Sequence, residues 1–140
     1  MAPFMVEPGQ SLLGLRGGVE PDWWIASEDG RTYLPDDPVN VFFNDCPRDV
    51  AERAAALLLP QRKDTFTQET SGAAWEEVPC TYVVCERDNA IPVAVQERMA
   101  QRADTVSRVD AGHAAFLSRP HDVAAIVQET LAVVVAEAGR

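Results

Sequence analysis

Two side chains in this sequence could share a proton: the aspartate of "CERDNAIP" and the histidine of "DAGHAAFL". Asp88 follows the short apolar run "CTYVVC" (80–85), and His113 follows "TVSRVD" (105–110). An aspartate beside an imidazole fixes one ring nitrogen and stabilises the charged ring, leaving the other nitrogen to act as a general base. Gly112 is read as the residue that lets the chain turn tightly ahead of the ring. The other histidine, His121, stands one position after Pro120 and reads as a surface residue at a helix start. Asp104 and Asp110 read as turn and strand-end residues, and Arg87 and Arg119 as solvated cations.

The chemistry needs elements that bring the two groups together. The β-branched run at 80–85 predicts a strand buried on both faces. Residues 92–103 begin with Pro92 and carry Val95, Met99 and Ala103 on one stripe, predicting a helix. A second strand over 105–110 follows. A long helix then opens at Pro120, with the stripe Val123, Ile126, Val127, Leu131, Val134 and Val135. Strand–helix–strand–helix closes as a right-handed crossover with parallel strands. Functional groups in such sheets gather past the carboxyl ends of the strands, which is where both loops lie.

The first half is less regular. "SLLGL" predicts one or two helical turns. "DWWIASEDGRTYLP" predicts two short strands around Glu28-Asp29-Gly30. "DCPRDVAERAAALLLP" predicts a helix from Pro47 to Pro60 with Val50, Ala54, Leu57 and Leu58 on one stripe, and a short helix is expected at 61–69. Trp23 and Trp24 are adjacent, so one is expected in the core and the other at a groove or partner contact.

Composition bounds the function. The chain has 140 residues, is 46% hydrophobic and carries a formal net charge of -10. That charge disfavours nucleic acid and anionic membrane as partners. Cys46, Cys80 and Cys85 contain no C-x-x-C and are read as buried apolar residues of a reduced compartment. Too few ligands exist for a zinc site, and no other cofactor is implied. No apolar run spans a bilayer, and "MAPFMVEPGQ" lacks a basic leader, so a cytoplasmic location is expected.

"VPCTYVVCERDNAIPVAVQERMAQRA" followed by "VDAGHAAFLSRPHDVAAIV" resembles the C-terminal part of α/β-hydrolase-fold proteins, in the esterase, methylesterase and hydroxynitrile-lyase-like branch. There a strand ends in Asp before "x-A-I-P" and a helix bearing Gln, and a later "GH" carries the catalytic histidine. "PGQSLL", the tryptophan stretch, the "DG" hairpin and the "CP" helix resemble that branch's lid. The resemblance implies an α/β class and a partial α/β-hydrolase fold. Residues 1–75 would form a lid-like segment, and residues 76–140 a β-α-β-α core with parallel strands. It implies Asp88 and His113 as catalytic acid and base, with Trp23, Trp24, Phe42 and Phe43 shaping an apolar site for a small or medium ester or carbonyl compound.

The branch also places a serine nucleophile in a G-x-S-x-G elbow before the lid. Ser11, Ser27, Ser71, Ser107 and Ser118 are this chain's serines, and none lies in such an elbow. The oxyanion-hole loop and most of the central sheet are likewise expected to be missing, which would leave strand faces and helix stripes bare. Fully burying one aliphatic side chain contributes about 1.5–3 kcal/mol. Association is therefore expected, as a homodimer or with a complementing N-terminal half. Three functions fit: a truncated or split esterase, a serine-independent acid–base enzyme of lyase, dehydratase or cyclase type, and a non-catalytic binding or structural remnant.

Overall fold

The computed structural model describes residues 4–138, and the ends of the predicted lid and last helix beyond them lie outside the described residues. Two sheets organise the chain. The first is antiparallel, in the order β1 (Trp24–Ala26), β2 (Thr32–Pro35), β3 (Gln61–Arg62). Ile25 stands opposite Leu34 in the first pair, and Tyr33 opposite Gln61 in the second. The hairpin turn uses Gly30 at φ 66, a left-handed conformation that suits glycine. Asp29 Oδ1 accepts from Ser27 Oγ and from the Arg31 N–H, which closes the loop.

The second sheet pairs β4 (Thr81–Cys85) with β5 (Thr105–Val109) in parallel, with Cys85 opposite Val109. Helix α4 (Val93–Ala100) makes the crossover between them. Tyr82 and Val84 point to the α4 side, where Met99, Val95, Ile91 and Val41 complete the largest core cluster. Cys85, Val109, Ala111 and Ala115 form a smaller cluster on the other side, covered by Val123 and Ile126 of α6 (Pro120–Ala138). The strand is thus fully buried on one face and half-covered on the other, a departure from the expected burial on both. No third strand flanks the pair among the described residues, and α6 reaches it through Val123, Ile126 and Thr130, whose hydroxyl lies 3.1 Å from that of Thr81. Val127 and Leu131, on its predicted core stripe, are each 60% exposed.

Three short helices were not evident from periodicity or were drawn differently. Helix α1 (Pro38–Phe42) is N-capped by Asp37, whose carboxylate accepts from the Asn40 N–H. Helix α5 (Ala115–Ser118) is one turn. Residues 61–69 were expected to be helical; instead β3 takes the first two and α3 (Asp64–Thr67) is confined to a single turn. Helix α2 spans Arg48–Ala55 and stops before the predicted Pro60. The Leu57 and Leu58 N–H groups bond back to Ala54 and Ala55 in tightened turns. This unwinding frees Leu58 to pack on Phe43 and Ala51, while Leu57 is 80% exposed and leaves the predicted stripe. Cys85 is buried, but Cys46 and Cys80 are only half-buried, because each lies just outside its element.

Candidate active site

The two loops leaving β4 and β5 meet. His113 Nδ1 lies 2.9 Å from Asp88 Oδ2. The Asp88 side chain is fully shielded, whereas that of His113 is 25% exposed. Asp88 Oδ1 accepts from the backbone N–H groups of Ala90 (2.7 Å) and Ile91 (2.9 Å), which fixes the carboxylate plane. A carboxylate only accepts, so the shared proton belongs to Nδ1 and Nε2 is left as the basic nitrogen. Phe42 lies against the imidazole with ring centroids 5.1 Å apart.

The loop that carries Asp88 is held from below. Gln96 is wholly buried in α4; its Nε2 donates to the carbonyls of Cys85 (3.0 Å) and Ile91 (2.9 Å), and its Oε1 accepts from the Cys85 N–H (2.8 Å). One amide thus ties the end of β4 to the far end of the aspartate loop. From above, Asn44 Nδ2 donates to the Arg87 carbonyl and Asp45 Oδ2 accepts from the Gly112 N–H. These adjacent residues hold the aspartate loop and the histidine loop together.

Gly112 has no positive φ, so the expected tight turn is not its reason for being glycine. Space is. A Cβ there would stand 2.1 Å from Asn44 Oδ1 and 2.7 Å from Asp45 Oδ1. Arg87 pairs with Asp110 at 2.7 Å instead of facing the site, and His121 is exposed at the start of α6.

Beside His113 opens a cavity of about 380 Å³. Trp23, Trp24, Phe42 and Phe43 all line it, so both tryptophans face one space and neither turns away. Trp23 meets Trp24 edge-on at 6.1 Å, and Trp24 also lies 4.4 Å from Phe66. The volume falls within the ordinary range for small-molecule sites, and the wall is almost wholly apolar. Asp88 lies behind His113 and does not line it. Among the described residues no serine, threonine or cysteine does either.

Several contributors carry no local signal in the sequence. Asn44, Asp45 and Gln96 act on backbone groups far away in the chain. Tyr33 and Phe66 are ordinary aromatics until the antiparallel sheet seats them at the wall. Arg16 lines the cavity as well.

The family model "Alpha/beta hydrolase family" matches residues 1–126. Alpha/beta hydrolase nvfD of Aspergillus novofumigatus is 36% identical over 134 residues, covering 91% of this chain and 54% of that protein. Methylesterase 10 of Arabidopsis thaliana is 30% identical over 101 residues, covering 64% of this chain and 35% of that protein. Polyneuridine aldehyde esterase superposes with a TM-score of 0.70 at 18% identity, covering 90% of this chain and 58% of that one. A pyrethroid hydrolase from Sphingobium faniae does so with a TM-score of 0.72 at 23% identity, covering 89% and 56%. At such identities the likeness is one of fold. The chain spans about half the length, or less, of the curated relatives it matches.

Proposed function

The chain belongs to the alpha/beta hydrolase family, and from that premise we propose that it supplies the acid–base pair and apolar lid of a carboxylic esterase whose serine nucleophile lies outside these 140 residues. The observation that carries this reading is the 2.9 Å contact of Asp88 with His113 at the wall of an apolar cavity. Esterase and methylesterase are also the names its relatives bear.

In this reading His113 Nε2 takes the proton of the serine hydroxyl as the oxygen attacks the ester carbonyl. It returns that proton to the departing alkoxide as the ester C–O bond breaks. Water then repeats the sequence on the acyl group. Asp88 remains ionised and holds the ring while it is charged. Trp23, Trp24, Phe42 and Phe43 take the apolar body of a small or medium ester.

The nucleophile-bearing part of the fold would also cover the bare face of α6. Val127, Leu131 and Val135 leave apolar surface there that a folded α/β layer would bury. A cytoplasmic location belongs to the same proposal, supported by three free cysteines. No helix among the described residues is long and apolar enough to cross a membrane.

Complementation tests the proposal. The chain alone is expected to leave p-nitrophenyl esters intact. Turnover should appear when it is mixed with a family polypeptide carrying the G-x-S-x-G elbow, and should vanish with His113→Ala. Strong turnover by the chain alone, abolished by His113→Ala, would sink it, as would silence in the mixture. Sedimentation should show the two polypeptides together; a tight homodimer that excludes the second chain would argue for self-association instead.

A second reading is favoured by the absence of any serine, threonine or cysteine from the cavity wall. His113 would then act as base in a serine-independent lyase, dehydratase or cyclase reaction. The chain alone should then exchange deuterium into an apolar carbonyl compound next to its carbonyl group, and lose that exchange with His113→Ala.

A further inference from the structure

Arg16 is the odd member of the cavity wall. It ends a single 3₁₀ turn, Gly14–Arg16, after which the chain departs through Gly17 at φ 71. Leu12, Leu13, Trp23, Trp24 and Phe66 line the same cavity. Among the described wall residues it alone carries a fixed positive charge. Its Nε is shut off from solvent and has no hydrogen-bond partner.

A shortage of acids does not explain this. The chain holds 22 Asp and Glu against 12 Lys and Arg. Arg48, Arg53, Arg62, Arg87, Arg102 and Arg108 each reach a carboxylate. No carboxylate of the described residues comes within ion-pairing distance of Arg16. A guanidinium half-withdrawn from water without an acceptor is costly; the enclosed Nε is beyond a ligand's reach, so an acceptor brought by a ligand would relieve that cost through the Nη groups. Its planar fork fits one acceptor best, a carboxylate, which takes two parallel N–H bonds.

We infer that Arg16 is a specificity-determining residue that binds a free carboxylate on the ligand. The ligand is then an apolar compound with two polar ends: a carboxylate at Arg16 and a carbonyl facing His113, with the aromatic wall around the body between them. Under the esterase reading, on which the ester half of this statement rests, the substrate is the monoester of a dicarboxylic acid. The carboxylate half rests on Arg16 alone.

Binding separates the two halves. Tryptophan fluorescence of the full chain, with Trp23 and Trp24 at the wall, can follow titration with 4-phenylbutyrate and with its neutral isostere 4-phenylbutyramide. The carboxylate is expected to bind roughly tenfold or more tightly than the amide. Arg16→Met should abolish that preference, Arg16→Lys should keep part of it, and His113→Ala should keep it in full. Equal binding of the two probes, or binding of neither, overturns the inference. So does a preference that survives Arg16→Met or disappears with His113→Ala, since the carboxylate would then sit at the imidazole. If Arg16→Met does not fold, the probe pair on the unaltered chain and on Arg16→Lys decides. A carboxylate preference without ester turnover in the complemented mixture would sink the esterase reading and leave this one standing.

Discussion

The Gly112 N–H donates to Asp45 Oδ2 at 2.8 Å, joining the histidine loop to a residue 67 positions earlier in the chain. The neighbouring Asn44 amide bonds the Arg87 carbonyl at 2.9 Å, so two consecutive side chains span both loops of the candidate site. This bracket leaves no room at position 112. Gly112→Ala would press a methyl group into the Asn44 and Asp45 carboxamide and carboxylate. It is expected to cost about 1–3 kcal/mol by overpacking. Thermal melting checks this; a variant as stable as the parent would show that the bracket gives way easily.

Asp88→Asn and His113→Ala should separate chemistry from folding. Asparagine can keep Oδ1 as acceptor for Ala90 and Ile91, but it turns an N–H toward Nδ1 and so imposes the wrong imidazole tautomer. In the complemented esterase a loss of about four orders of magnitude in kcat is expected, with the melting temperature nearly unchanged. Asp88→Ala differs, because it leaves two backbone donors bare and adds about 1–3 kcal/mol of destabilisation. Equal losses of stability in all three variants would point to a structural role for the pair.

Gln96→Leu keeps the volume of the side chain and deletes three hydrogen bonds to β4 and the aspartate loop. The Cys85 N–H and the Ile91 carbonyl, left unsatisfied, would cost about 2–4 kcal/mol together, while the Cys85 carbonyl keeps the Asp88 N–H. Chemical denaturation measures it directly. A loss under about half a kcal/mol would mean that these groups find other partners.

The antiparallel sheet should loosen in acid. The Tyr33 hydroxyl, donating to Glu20 Oε1 at 2.7 Å, and then the Lys63 ammonium hold the Glu20 carboxyl below its ordinary value of 4.5. A carboxyl depressed by folding contributes stability that is full above the unfolded value and fades as pH falls through the folded one. Glu20→Gln should therefore melt below the parent near neutrality, and the two curves should converge as pH falls through the depressed folded value of Glu20. Parallel curves at every pH would exclude a titrating contribution.

The second half of the chain was legible because its signals are long and local. "CTYVVC", the Pro92 start with Val95 and Met99, and the Pro120 start each place the beginning of an element within a residue or two, although the helix expected to run to 103 ends at Ala100 and leaves Ala103 outside. The same patterns brought Asp88 and His113 to one sheet edge. Periodicity failed where a tertiary partner decides. "ALLLP" reads as helix until Leu58 is seen against Phe43, and Gln61 reads as helix until Tyr33 pairs with it. Helix α1 did leave a mark, an N-cap Asp37 followed by Pro38, that periodicity alone passes over. Nothing local in "FFNDCP" announces that Asn44 and Asp45 will clasp two distant loops.

The crossover from β4 to β5 has one more consequence. Asp88 and His113 leave the same end of adjacent strands joined by a single helix, so a recombination that kept residues 81–113 together would carry both. A breakpoint anywhere upstream of Thr81 transfers both intact. The clasp at Asn44 and Asp45 does not travel with them, and a grafted cassette would have to be refitted to whatever lid it joined.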